Sequence, residues 1–151
     1  MGEKLIKQYL QEFNKLSKGK GHYGYALKCG NSFSSPGKLT PNEKKLLKKC
    51  RYSTKSRECY YNSQMLNICN PKFKYYEGWY LFEDIPIPLE HGFNVINGKV
   101  VDTTQFTERK SRKRNYFGIN IPSKFVRKNM EETEMAEAML YKYARSKKGK
   151  C

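Results

Sequence analysis

Cys59, His91 and Asp102 are the residue types of a thiol nucleophile with an oriented base. Cys59 falls near the start of a predicted helix, Ser56-Arg-Glu-Cys-Tyr-Tyr-Asn-Ser-Gln-Met-Leu-Asn67. With Ser56 as N-cap, Cys59 is the third residue of the first turn. Free backbone N–H groups and the helix dipole favour an anion there. Asn62 follows three residues later on the same face, where it is expected to meet the oxyanion or position a substrate.

His91 and Asp102 lie on two apolar runs joined by Asn97-Gly98. Asn-Gly is the strongest two-residue hairpin signal, because both central residues of a type I′ turn need φ > 0. This loop pairs Ile96 with Lys99, Val95 with Val100 and Phe93 with Asp102. Strand alternation then puts His91, Phe93, Val95, Val100 and Asp102 on one face. His91 and Asp102 become diagonal neighbours, within reach of an imidazole and a carboxylate. A slip of one residue would separate them. The same alternation sends Glu90 to the opposite face, so it is not assigned as the partner of His91. His22, in a glycine-rich stretch, is a weaker second base, expected in a surface loop.

The order of a Cys on a helix, a His on a strand and an Asp on the next strand resembles the transglutaminase-like branch of the papain-type cysteine folds. In that branch a strand reading roughly His-Ala-Trp-Val precedes one ending in Asp-Pro-Thr. The corresponding stretches are His91-Gly-Phe-Asn-Val95 and Val100-Val-Asp-Thr-Thr104. Phe93 stands where Trp is usual, and Thr103 where Pro is usual. Cys59-Tyr-Tyr-Asn62, Tyr76-Glu-Gly-Trp-Tyr80, Pro88-Leu-Glu-His91, Val101-Asp-Thr103 and Tyr116-Phe-Gly-Ile119 are similar to pieces that recur in small uncharacterised phage and bacterial proteins. The likeness spans residues 55–122. The resemblance implies a cysteine hydrolase or acyl transferase, possible phage origin, and no metal or organic cofactor. The order also resembles arylamine N-acetyltransferases, but the chain is too short for their full architecture.

The 151 residues carry 30 Lys and Arg against 14 Asp and Glu, a net charge of +16. That field attracts polyanions, nucleic acid first and an acidic protein next. The densest basic run holds Arg109, Lys110, Arg112, Lys113 and Arg114 and is a candidate phosphate-binding loop. A non-enzymatic nucleic-acid-binding protein, or a phage factor docking on an acidic host protein, is therefore the competing function. Five scattered cysteines, with no close Cys-x-x-Cys pair, argue against zinc. An odd number of cysteines and no signal-peptide pattern suggest a reducing cytoplasm. No apolar stretch is long enough to span a bilayer.

The elements that must position these groups form an α+β fold. A small antiparallel sheet carries the nucleophile-bearing helix on one face, with terminal helices around it. Helical spacing is read over residues 3–17 and 130–145, and a capping box at Thr40-Pro-Asn-Glu43 opens a short basic helix. Residues 73–83 alternate as a strand. Glu77-Gly78 inside it marks a bulge or a close approach, and Glu77 is a candidate to touch the site. A single domain is expected over 1–145, with a disordered basic tail over 146–151.

Overall fold

A computed structural model describes residues 1–34, 36–50, 54–104 and 113–151. Among them six helices surround a five-stranded sheet. In chain order these are α1 (Gly2–Leu16), α2 (Tyr23–Cys29), β1 (Asn31–Ser34), α3 (Pro41–Lys49) and α4 (Cys59–Cys69). Then come β2 (Lys74–Phe82), β3 (Leu89–Ile96), β4 (Lys99–Val101), β5 (Arg114–Ile121), α5 (Ser123–Thr133) and α6 (Leu140–Ser146). The strands are ordered β1-β5-β2-β3-β4, and neighbouring strands pair antiparallel. Pro36 also bridges to Val100, so the chain leaving β1 touches the strand at the opposite edge and curls the sheet. The architecture is α+β.

Alternation along β2 and β5 sends side chains to two cores. Tyr75, Trp79, Leu81, Phe117, Ile119 and Ile121 pack beneath Ile6 and Leu10 of α1 and Leu140 of α6. Tyr76, Tyr80, Phe93, Val95 and Tyr116 fill the other face. β2 is therefore buried on both sides, which its dense aromatic sequence allows. Gly78 lies opposite Gly118 in this centre. A Cβ on Gly78 would collide with the Phe117 carbonyl oxygen. The glycine thus marks a close strand approach rather than a bulge. Gly78→Ala is expected to cost about 1–3 kcal/mol of stability, read by urea denaturation. A loss under ~0.5 kcal/mol would mean that the strands part freely at this point.

The hairpin has the register set by its turn. Asn97 (φ 48°) and Gly98 (φ 75°) are both left-handed, and Ile96 pairs with Lys99 and Val95 with Val100. The capping box also forms: the Glu43 backbone N–H donates to Thr40 Oγ1 at 3.2 Å, and the Thr40 N–H to Glu43 Oε2 at 2.7 Å.

Other elements differ from the sequence expectation. α2 and β1 lie in the glycine-rich stretch, where the sequence places His22 in a surface loop. The single helix over 130–145 is two helices, with Glu134 left-handed at φ 56° between them. The cause is Glu77. Its buried carboxylate accepts the backbone N–H of Met139 at 2.9 Å and of Leu140 at 2.8 Å, fixing the start of α6 on the sheet. Met135, within that span, is exposed.

The cysteines also depart from expectation. Cys29 is bonded to Cys151 and Cys50 to Cys69, which leaves Cys59 as the free thiol. Paired cysteines are at odds with the expected reducing setting. The segment read as a disordered tail is tethered by Cys151, and Lys28 Nζ donates to the Gly149 carbonyl at 2.7 Å. Among the described residues no helix is long and apolar enough to cross a membrane.

Candidate functional site

Cys59 is the first residue of α4, with Glu58 rather than Ser56 at the N-cap. The helix starts late because Arg57 is left-handed at φ 61°. The shift moves the thiol closer to the unpaired N–H groups of the first turn. α4 packs along β3, and Gly92 makes this possible. A Cβ there would meet Ser63 Oγ at 2.8 Å and Tyr60 Cδ1 at 3.0 Å, with the Cys59 carbonyl at 3.3 Å. β4 pairs with β3 only from Asn94 to Ile96, so it leaves the His91 level of that edge uncovered.

His91 and Asp102 are 3% and 1% exposed, and His91 Nε2 lies 2.7 Å from Asp102 Oδ2. Tyr116 donates its hydroxyl to the same Oδ2 at 2.9 Å, while Asp102 Oδ1 has no partner among the described residues. The Tyr80 ring packs 4.4 Å from the imidazole, and Phe93 stacks at 6.5 Å with 12° between planes. Burial disfavours the imidazolium. The charge and hydrogen bond of Asp102, joined by a hydrogen bond and charge from Cys59, outweigh it and hold His91 up to about 9. Nε2 is taken by Asp102, which leaves Nδ1 for the thiol. Burial first, then the Asp102 charge, raises Tyr116, so its hydroxyl keeps its proton and stays a donor.

The structure brings Cys59, His91 and Asp102 together and places the other candidates elsewhere. The Asn62 amide accepts from Lys55 N at 2.8 Å and donates to Lys55 O at 2.8 Å and Thr104 Oγ1 at 3.0 Å. It pins the loop before α4 and is not disposed to meet an oxyanion. Glu77 is committed to α6 and to the Tyr75 hydroxyl at 2.8 Å, and so is not a group of the thiol site. Burial pushes its carboxyl up, against those same bonds.

In the basic run, Lys113 is exposed but Arg114 is 4% exposed, with its guanidinium 5.2 Å from the Phe82 ring. It hydrogen-bonds Tyr116 and is not a surface contact for phosphate. Arg109, Lys110 and Arg112 lie outside the described residues. Glu90 is exposed, as alternation requires. His22 is half-buried and stacked on Trp79 at 5.7 Å, and burial lowers its basicity.

Sequence reasoning missed Tyr116 and Tyr80 as neighbours of the His91–Asp102 pair. Their approach depends on β2 pairing with both β3 and β5, which sets Gly78 opposite His91 and Tyr80 opposite Tyr116. No local pattern carries that information. Among the described residues no group of three His, Cys, Asp or Glu side chains is placed to hold a metal ion.

No protein-family model matches the chain, and comparisons with curated proteins and with solved structures also give no match.

Proposed function

We propose that the protein is a thiol hydrolase or acyl transferase acting on an amide or ester. The observation that carries this reading is the buried 2.7 Å His91–Asp102 contact with the Cys59 thiol on the same imidazole. The resemblance to transglutaminase-like cysteine folds supports it.

Cys59 gives its proton to His91 Nδ1 before attack, a thiolate–imidazolium pair in keeping with the raised basicity of His91, and the thiolate Sγ then attacks the carbonyl carbon. An S–C bond forms and the carbonyl pair moves to oxygen, which meets the free N–H groups at the start of α4. The pair returns, the C–N or C–O bond breaks, and His91 gives its proton to the leaving amine or alcohol. Water or an acceptor amine then attacks the thioester, giving its proton to His91 as Sγ departs. Asp102 stabilises the imidazolium, and Tyr116 fixes the orientation of the carboxylate.

The disulfides leave Cys59 as the free thiol, so this chemistry tolerates an oxidising compartment as well as the cytoplasm first expected.

The test is trapping with an activated acetate ester. One acetyl group per chain is expected, mapped to Cys59 by mass spectrometry. His91→Ala should slow its appearance, and iodoacetamide given first should block it. Acetylation spread over lysines, unaffected by either treatment, would overturn the proposal.

A further inference from the structure

A cavity of about 840 Å³ lies away from the thiol. It is a groove between α3, β1 and the β3–β4 turn. Phe33 and Tyr76 lie along it, their rings edge to face at 5.2 Å. Phe33 is only half-buried, so part of its ring is open to the groove. Exposed Asn31, Asn42 and Asn97 add amide side chains, and exposed Lys72 and Lys74 stand at the rim.

α3 extends that rim. Asn42 and Leu46 face the groove; Lys45 and Lys49 follow three residues after each, on the adjoining strip of the helix. Lys44 and Lys48 continue the basic surface, and all four α3 lysines border a second, shallower depression of about 690 Å³. None of these six lysines makes an ion pair with a described residue.

Glu43, the acid in the groove, is neutralised. Lys99 Nζ lies 2.9 Å from its Oε2, and Asn97 donates to Oε1 at 2.9 Å. Asn97, the Thr40 N–H and Lys99 hold its carboxyl down to about 2. The helix is also held in place by its capping box and, through Cys50, by the bond to α4. The lysines therefore sit on a preset frame.

We propose that this groove binds single-stranded nucleic acid. An aromatic floor stacks bases, amide side chains meet base edges, and phosphates are met by Lys72 and Lys74 at the rim and by the α3 lysines along the adjoining depression. A duplex keeps its base faces stacked inside and cannot offer them to Phe33. The site uses none of Cys59, His91 or Asp102.

The test is fluorescence anisotropy of the full chain with labelled oligo(dT) and with a duplex of equal length, between about 50 and about 200 mM salt. Oligo(dT) should bind more tightly than duplex. Replacing Lys44, Lys45, Lys48 and Lys49 together by Gln should reduce the slope of log K against log salt by about 3, at roughly 0.7 for each phosphate no longer neutralised. Phe33→Leu should weaken oligo(dT) about tenfold while leaving the slope unchanged. Asn42→Asp should weaken binding too. This residue is exposed in the first turn of α3, where an acid favours the helix, so the variant remains informative if Phe33→Leu fails to fold. Binding that survives Cys59→Ala is expected. Duplex or anionic vesicles bound as tightly as oligo(dT), or an Asn42→Asp variant with unchanged affinity, would overturn the proposal.

Discussion

Asp102→Asn is expected to lower turnover of an activated ester by about 10³–10⁴-fold, with the fold intact. The asparagine can still accept from Tyr116 and from an imidazole N–H, so both hydrogen bonds can persist. What disappears is the buried negative charge that makes the imidazolium tolerable in a site where His91 is 3% exposed. Proton transfer from the Cys59 thiol then leaves an unsupported charge among Tyr80, Phe93 and Tyr116. Tyr116→Phe removes one hydrogen bond and no charge. It should cost about tenfold or less, in line with the ~1 kcal/mol of a neutral donor. Steady-state rates and a thermal melt for both variants check this ordering. Equal losses from the two changes would mean that Asp102 only shapes the pocket, and a loss below ~10-fold for Asn would remove it from the proposed triad.

The second large effect is on stability against pH. His91 is held at about 9 in the fold, against about 6.5 in an unfolded chain. The folded state therefore keeps a proton that the unfolded state loses between these values. The contribution is fully present below about pH 6.5, diminishes as pH rises through the window, and is gone above about 9. Its size is on the order of 3–4 kcal/mol, since each unit of difference is worth about 1.4 kcal/mol. Urea denaturation at either end of the window measures it, with the disulfides kept oxidised. A Cys59→Ser background prevents thiol exchange at the alkaline end, and Asp102, the larger support, remains. Adding His91→Gln should flatten the pH dependence across this range. A flat profile with His91 present would show that the imidazole is not charged in the fold.

The parts of the site that could be read from sequence were those set by local chemistry. Asn97-Gly98 dictates a turn type, the turn dictates a register, and the register puts His91 and Asp102 on one face. Thr40 and Glu43 likewise declare a helix start. Competition among local signals misled elsewhere. Ser56 has the right chemistry for a cap, but Arg57 is left-handed and Asn62 binds the Lys55 backbone, so the helix opens at Cys59. Asn62 shares a helix face with the thiol, yet its amide is spent on that loop. Long-range pairing hid the rest. Tyr116 reaches Asp102 only once β5 lies against β2, and Glu77 divides the C-terminal helix from 62 residues away in sequence. The cysteine pairs are 122 and 19 residues apart, spacings that announce no bond.

The two disulfides also decide what a single break in the chain can do. The 29–151 bond spans nearly all of the fold, and the 50–69 bond closes a smaller ring that contains Cys59. A cut at any one peptide bond between residues 29 and 151 leaves one covalent molecule. A cut between Cys50 and Cys59 frees the segment before α4, yet Cys69 still ties that helix to Cys50. A protease nick should therefore be silent on a non-reducing gel and appear as two fragments only after reduction. In mechanical terms the thiol belongs to a ring rather than to a thread.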